Sequence, residues 1–375
     1  MHFALLLAAL VLVLALLILG HEFGHFIVAK AFGIRVDEFA IGFPPRLLSV
    51  QWGETRYSLN LLFFGGYVKI FGESAEDGEV LKDPRSFVHK PRLVQAAVIV
   101  AGICFNILFA WLALSAGYMV GMPTSADHEG VGQVEHAQTT IVSVLPDSPA
   151  ANAGLLPEDV VLSAQTGTAT LPPGATAAQL QDFIGAHQDE SVVLAVSRVS
   201  TTTHLQEEKT FLARPVEGLA EGHKAIGIGL DDVGVLKLSP PMALVQGAYL
   251  TKQMTVATAE GLVGFFSKIF QGQAKWKEVS GPIGITVYGA GAVASGFIPT
   301  VLLAAIISIN LALINVLPLP GLDGGRLLFV VIEAIRRKPL SEKLSFRITL
   351  VSMSLLVLLM LIISYHDVLR LVHPV

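Results

Sequence analysis

Residues 3–25 read FALLLAALVLVLALLILGHEFGH, an apolar run that ends in two histidines and a glutamate. No charged side chain interrupts the run between Phe3 and Leu19. A helix of this length can span a bilayer. A signal peptide would also be apolar, but this segment has no basic start and leads directly into a charged motif. We therefore predict a retained transmembrane helix.

The motif at the end of this helix has the spacing of a metal site. His21 and His25 are four residues apart, so on a helix their side chains share one face. Two such imidazoles can bind one zinc ion, and Glu22 is placed to accept a proton from water that the metal activates. Histidines that merely reach toward water are the alternative. Because these polar groups are costly to bury, we predict a zinc site with Glu22 as the base.

Catalytic zinc needs a third protein ligand and an open position. Residues 315–325 read NVLPLPGLDGG and interrupt a later apolar stretch. The prolines prevent a continuous helix, and the glycines permit tight backbone geometry around the aspartate. Asp323 is the predicted third ligand. Its alternative role is to cap the helix that begins near Gly324.

Composition places the whole chain in a membrane. Hydrophobic residues make up 53% of the 375 and charged residues only 15%, against about 25% in soluble domains. Further apolar runs cover residues 93–120, 297–317 (resuming at 327–335 after the prolines) and 348–365. The sequence thus predicts a polytopic α-helical membrane protein with about four transmembrane helices. The net charge of −5 gives no reason to expect a nucleic-acid partner.

The distribution of charge predicts the orientation. Lys and Arg are concentrated between the first two predicted spans and again at residues 336–343, whereas Asp and Glu dominate residues 121–240. By the positive-inside rule the basic segments lie in the cytoplasm, and residues 121–240 and both termini lie outside.

Residues 126–220 are predicted to form a β-rich domain inserted between the spans. Strand-like stretches cover residues 140–144, 160–163, 191–198 and 209–213, and Thr176 could cap a helix over 176–186. Residues 142–161 resemble the core of bacterial PDZ domains, with Glu158 where that family usually has glycine. Such a domain binds extended peptides by strand addition; a spacer that filters access by size is the alternative.

On the cytoplasmic side, residues 57–64 and 67–71 are strand-like and are joined by Gly65 and Gly66. This pattern predicts a membrane-associated β-hairpin over 57–71. Its edge could pair with an unwound substrate, which makes Gly65, Gly66 and Tyr67 candidate substrate-binding residues. The alternative is a purely structural hairpin.

The remaining boundaries follow from these elements. Residues 1–125 contain the first two spans and the hairpin, residues 221–296 form a linker, and residues 297–375 contain the last two spans. Within the linker, one helix face carries apolar residues at i, i+3, i+4 and i+7, namely Leu262, Phe265, Phe266 and Ile269. This amphipathic helix lies on the membrane surface or packs against the inserted domain.

Taken together, these motifs resemble those of the site-2 protease family of intramembrane zinc metalloproteases. The closest resemblance is to the bacterial regulator of sigma-E protease group. It is carried by HEFGH at 21–25, NVLPLPGLDGG at 315–325, GICFN at 102–106 and SGPI at 280–283. The order of spans, hairpin and PDZ-like domain also matches, although that group often has two PDZ domains and this chain has one.

The resemblance implies that His21, His25 and Asp323 bind zinc and that Glu22 is the base. It places Asn315 near the substrate, and Asn106 either near the substrate or in a helix–helix hydrogen bond. It implies regulated intramembrane proteolysis in the bacterial cytoplasmic membrane, with the active site toward the cytoplasm. Implied partners are membrane lipid and single-span proteins such as anti-sigma factors or signal-peptide remnants.

Two other classes of protein remain open at this point. A metal transporter also buries His and Asp in its spans, but it has no need of Glu22 or of a peptide-binding domain. A catalytically idle scaffold would use only the PDZ-like domain, and it has no physical reason to keep all four chemical groups. We therefore favour the protease.

Overall fold

The computed structural model describes residues 2–73, 83–199, 206–220, 223–273, 281–338 and 340–372. The chain divides into two compact units. The first consists of residues 1–117 and 244–375, and the second of residues 118–243.

Helices make up most of the first unit. They are α1 (His2–Ala31), α2 (Arg92–Val120), α5 (Pro240–Phe270), α6 (Pro282–Ala294), α7 (Phe297–Val316), α8 (Asp323–Arg336) and α9 (Glu342–Val372). Four stretches are long and apolar enough to cross a membrane: Ala4–Ala31, Arg92–Val120, Phe297–Val316 and Lys343–Leu369. They overlap the four predicted spans, but the third ends at Val316, and the stretch 327–335 predicted to continue it lies in the separate helix α8. In α1, Leu5 and Leu12 are 70% and 61% exposed, as lipid-facing side chains would be.

Two parts of the predicted linker have other structures. The amphipathic pattern belongs to a single 31-residue helix, α5, and is not a short helix of its own. The 13-residue apolar helix α6 has no counterpart in the sequence prediction. The buried Asp367 carboxylate of α9 accepts hydrogen bonds from the backbone N–H groups of Gly281 and Gly284, 3.2 and 2.9 Å away. Asp367 therefore caps the N-terminus of α6 from another helix.

The small sheet of the first unit is built differently from the predicted hairpin. Its strands are β1 (Val36–Trp52) and β2 (Thr55–Ile70), and the chain reverses at Gly53, where φ is 61°. The pairing register divides each strand into two segments. Residues 46–52 pair with 55–60, residues 38–41 pair with 56–59, and residues 36–41 also pair with 66–70.

The prediction of a hairpin turn at Gly65–Gly66 is therefore wrong. The two predicted strand stretches exist, but residues 36–41 lie between them and pair with both. The order of segments across the sheet is 46–52, 55–60, 36–41 and 66–70, so the stretch that holds Gly66 and Tyr67 is an edge. Pairing of this kind connects segments distant in the chain, and a local turn pattern does not contain that information.

The second unit is β-rich, as predicted. Its strands are β3 (Met122–Ser125), β4 (Glu135–Val144), β5 (Val160–Gln165), β6 (Thr170–Leu171), β7 (Val192–Val199), β8 (Gln206–Ala213), β9 (Val216–Ala220), β10 (His223–Ala225) and β11 (Ile228–Leu236). Seven form one sheet in the order β3-β11-β4-β5-β7-β8, with β6 on β5, and β9 pairs with β10. Two helices, α3 (Pro149–Ala153) and α4 (Ala177–Ala186), accompany the sheet.

The predicted end of this domain at residue 220 is wrong, because β10 and β11 lie in the stretch assigned to the linker. β11 lies inside the sheet, yet four of its nine residues, at 229, 231, 232 and 234, are Gly or Asp. These residues weaken a strand pattern. Pairing with β3 and β4 on its two sides outweighs that local preference.

Local details of the inserted domain agree with the sequence. Thr176 and Gln179 form a capping box at the start of α4. Glu158, which replaces the glycine of the PDZ pattern, has a φ of 72°. The turn thus keeps the left-handed conformation that glycine adopts more easily. A buried cluster that includes Ile141, Leu180 and Leu194 forms the core.

A buried ion pair stabilises this domain and gives a testable prediction. Asp159 is fully buried, and its two oxygens accept hydrogen bonds of 2.6 Å each from Arg198. Changing Asp159 to Ala removes the carboxylate from that guanidinium and leaves it the carbonyl oxygen of Gly154 as an acceptor, so we expect the local free energy of unfolding to fall by about 3–5 kcal/mol. Hydrogen exchange of the β7 amides in the purified full-length protein measures this change.

Lys224→Gln is the matched control, because the Lys224–Asp189 pair is exposed. Its exchange should match that of the wild type. Equal protection in Asp159→Ala and in the control would contradict a stabilising role for the buried pair.

Candidate metal centre

The end of α1 brings the two histidines to one point. The Nε2 atoms of His21 and His25 lie 3.2 Å apart, and both side chains are close to 90% buried. Their four-residue spacing gives this geometry directly, because the helix places both on one face.

Asp323 reaches the same point from the first residue of α8. Its Oδ2 lies 3.1 Å from His21 Nε2 and 3.4 Å from His25 Nε2. The loop before α8 folds tightly against the helix start. A Cβ on Gly324 would lie 2.3 Å from the carbonyl oxygen of Val316, and one on Gly325 would lie 2.2 Å from that of Leu319. Only glycine fits at these two positions, which hold Asp323 in place.

The three ligand atoms have the spacing that zinc requires. With zinc–ligand bonds of about 2.0–2.1 Å, a tetrahedral site separates its ligand atoms by about 3.3–3.4 Å. The observed separations are 3.1, 3.2 and 3.4 Å. Asp323 Oδ2 is buried and receives no hydrogen bond within the described part of the chain, as expected of an atom that offers a lone pair to a metal. These residues therefore fit a zinc ion, with one position left for water or substrate.

Gly102 of α2 provides the space for this site. A Cβ at residue 102 would lie 2.3 Å from His25 Nε2 and 2.7 Å from His21 Cε1. Real side-chain atoms do not approach this closely, so a glycine is required here. Gly24 of α1 has a similar role, since its Cβ would lie 2.7 Å from the carbonyl oxygen of Ala101. Close approach of α1 and α2 thus frames the metal centre.

Hydrogen bonds on the far side of each imidazole fix the ring orientation. His25 Nδ1 lies 2.8 Å from the carbonyl oxygen of Val98, so Nδ1 carries the proton and Nε2 is free to bind metal. His21 Nδ1 lies 3.2 Å from the side-chain amide of Asn106. The Asn106 Oδ1 atom is buried without a partner in the described residues. When this amide is rotated by 180°, Oδ1 accepts the Nδ1–H of His21, and the His21 Nε2 atom is left free to bind metal.

Asn106 is therefore placed to orient a ligand, and we predict an effect on metal affinity. Asn106→Ala removes the acceptor of the His21 Nδ1 proton and should weaken zinc binding about 10–100-fold. Competition with a chromogenic zinc chelator measures this affinity. Ser308→Ala is the control, since its hydroxyl donates only to the Asn106 backbone oxygen, at 2.8 Å. Unchanged zinc affinity in Asn106→Ala would show that the amide has no such role.

A cavity of about 270 Å³ opens beside two of the three ligands, His21 and Asp323. Glu22 and Asn315 line it together with His21, Asp323 and Asn106. Gly66 lies next to Glu22, because a Cβ there would be 3.5 Å from Glu22 Cγ. Gly65 and Tyr67 are not among the lining residues that the structure describes. The structure thus brings together all the predicted site residues except these two.

Three residues of the site have no counterpart among the predicted functional residues. Arg326 lines the cavity, and Glu73 forms an ion pair with it. The three-residue spacing of Arg326 from Asp323 on a helix was the available signal for the first. No sequence pattern connects Glu73 with α8. Val98 acts through its backbone, which residue type does not reveal.

Known proteins are similar to this chain over most of its length. A family model described as Peptidase family M50 matches residues 9–360. A Nostoc sp. protein named "Putative zinc metalloprotease all3971" is 35% identical over 90% of this chain and 88% of that one. "Membrane metalloprotease ARASP, chloroplastic" of Arabidopsis thaliana is 30% identical over 86% of this chain and 70% of that one. "Regulator of sigma-W protease RasP" of Bacillus subtilis is 27% identical over 97% and 98% of the two chains.

Proposed function

The chain belongs to peptidase family M50, and from that membership we propose that it hydrolyses peptide bonds in or near the transmembrane segments of single-span proteins. It is a membrane zinc metalloprotease. The observation that carries the finer proposal is the position of the metal centre. Two ligands lie on an apolar helix that can span a bilayer, and the third begins a helix beside another such span. A metal transporter or an idle scaffold has no use for Glu22 beside these ligands.

The residues at the cavity have different roles in the proposed hydrolysis. His21, His25 and Asp323 hold zinc, which when bound supplies Lewis-acid activation of water and of the peptide carbonyl. Glu22 takes the proton of the attacking water and later returns it to the leaving amine. Asn315 offers an amide that hydrogen-bonds the substrate backbone next to the scissile bond.

A transmembrane substrate must unwind before it can be cut, because a helix engages its carbonyl groups in hydrogen bonds. The segment 66–70 of β2 is the edge of its sheet and passes next to Glu22 at Gly66. Its outer side has no strand partner among the described strands. Strand addition at this edge would hold the substrate extended beside the metal.

A proline scan tests this strand pairing. Tyr67→Pro and Val68→Pro are made separately, because only one of two consecutive residues in an edge strand directs its N–H outward. The outward-facing change should slow cleavage of a helical substrate at least about tenfold and spare a substrate with a helix-breaking Gly-Pro at the same site. Ser49→Pro on the opposite edge is the control. If both 67 and 68 variants cut both substrates at the wild-type rate, this edge does not bind substrate.

We propose the membrane orientation on the charge asymmetry alone. The basic segments that flank the spans lie in the bacterial cytoplasm, and the β-rich domain and both termini lie outside. The metal centre then faces the cytoplasmic side. Substrates would be anti-sigma factors or signal-peptide remnants already trimmed outside the membrane. The protein named RasP, a regulator of a sigma factor, supports this class of substrate.

We also propose that the β-rich domain acts as a PDZ domain. A groove of about 340 Å³ runs between α4 and the first residues of β11, with Ile184, Lys224 and Ile228 in its lining. β3 pairs with β11 only at residues 233–236, so residues 228–230 keep one edge without a strand partner among the described strands. An extended peptide can add there. A size filter without peptide binding is the alternative, and binding of substrate-tail peptides to the full-length protein distinguishes the two.

A further inference from the structure

Arg326 lies in the catalytic cavity without a role in binding metal. It follows Asp323 by three residues on α8, so the two side chains share a helix face. Ten residues line the cavity in the described part of the chain, and Arg326 is the one that carries a permanent positive charge. A cation repels a metal ion, so its purpose beside a zinc site must involve an anion.

Glu73 holds Arg326 from the segment that follows β2. The Arg326 Nη2 atom forms an ion pair with Glu73 Oε1, and the Glu73 side chain is only 16% exposed. A guanidinium has five N–H donors, and one carboxylate uses at most two of them. The Arg326 side chain remains 44% exposed, so its other donors are accessible to a ligand in the cavity.

Neither acidic neighbour accounts for this arrangement. The ion pair with Glu73 holds the guanidinium, but it does not explain why Arg326 also lines the catalytic cavity. Glu22 interacts with Arg326 through its charge, but no hydrogen bond joins the two in the described structure. A hydrolytic site requires a hydrogen-bond donor that stabilises the negative charge developing on the carbonyl oxygen of the scissile bond. Arg326 is the cavity cation that can supply it.

We propose that Arg326 is a catalytic residue that donates hydrogen bonds to the oxyanion of the scissile peptide, and that Glu73 is a positioning residue that holds its guanidinium. This inference rests on the proposed function. Water oxygen bonds to the carbonyl carbon, its proton passes to Glu22, and the carbonyl π pair moves onto oxygen beside Arg326. When the C–N bond breaks, that pair restores the carbonyl and the nitrogen leaves with the proton from Glu22.

The test compares Arg326→Gln, Arg326→Lys and Glu73→Gln with the control Arg336→Gln, an exposed arginine on the same helix. We measure zinc content, kcat and KM on a single-span substrate, and the Kd of a phosphinic peptide that mimics the tetrahedral oxyanion. Arg326→Gln should retain zinc, lower kcat about 10²–10³-fold and change KM less than about threefold. The Kd of the phosphinic peptide should rise in proportion to the loss of kcat/KM.

The companion variants distinguish catalysis from a structural ion pair. Arg326→Lys keeps the charge and should retain more activity and inhibitor affinity than Arg326→Gln, whereas Glu73→Gln should lose about tenfold in both. A phosphinic-peptide Kd that stays at the wild-type value in the Arg326→Lys and Glu73→Gln proteins overturns the proposal, even if Arg326→Gln fails to fold. Absence of cleavage by the wild type, or full activity of Glu22→Gln, would instead refute the proposed function.

Discussion

Glu22→Gln is expected to lower the rate of substrate cleavage by about 10²–10⁴-fold while the protein keeps its zinc. Glutamine has nearly the shape of glutamate but cannot accept the proton of the attacking water. The three ligand atoms come from His21, His25 and Asp323, so the metal centre itself is unchanged. Cleavage of a tagged single-span substrate by purified protein, with zinc content measured on the same samples, gives the result.

Two controls make this prediction sharp. Glu54→Gln removes a carboxylate that forms exposed ion pairs with Lys30 and Arg85, so it should cut at the wild-type rate. Wild-type protein stripped by a chelator should be inactive and should recover when zinc is restored. If Glu22→Gln, with its zinc in place, cuts as fast as the wild type, Glu22 is not the base and the mechanism is wrong.

Gly102→Ala is expected to abolish zinc binding and, with it, activity. The new methyl group would occupy the space beside both imidazoles, 2.3 Å from His25 Nε2. To relieve this steric clash, α1 and α2 must separate or the two imidazole rings must turn away. Either change moves the ligand atoms apart. We expect zinc affinity to fall by more than the roughly 10–100-fold of a lost supporting hydrogen bond. Zinc content after dialysis against a weak chelator measures the loss.

Gly20→Ala is the matched control, because a Cβ on that residue would meet nothing within 4 Å. It precedes His21 directly, yet it should retain zinc and full activity. A Gly102→Ala protein that binds zinc like the wild type would show that the two helices can separate at no cost to the site. Such a result would contradict the role of the glycine in framing the metal centre.

The chemistry was predictable because it depends on local spacing. His21 and His25 share a helix face by periodicity alone, and prolines and glycines identify the interrupted helix that presents Asp323. The long-range pairing was not predictable. Gly65–Gly66 has the composition of a turn, but residues 36–41 separate the strands on either side of it. β11 was missed for a related reason, since its glycines and aspartates weaken the local pattern and its neighbours in the sheet restore it.

Residues that support the metal ligands or the cavity were only partly predictable from the sequence. Asn106 was a candidate with two alternative roles, and its distance to His21 Nδ1 favours support of a metal ligand. The pairing of Glu73 with Arg326 joins segments far apart in the chain, and single-sequence patterns do not carry such information. Backbone groups such as the Val98 carbonyl are invisible to any argument from residue type.

The division of the metal ligands between α1 and α8 has a consequence for the newly made protein. Asp323 follows His25 by roughly 300 residues, so at about 5–20 residues per second the ribosome needs some 15–60 s to supply it. During that interval the first helix can already be in the membrane with two of its three metal ligands. The nascent chain therefore has no complete metal site and cannot cleave other membrane proteins until translation is nearly finished. The length of this delay is set by the time that the ribosome needs to reach Asp323.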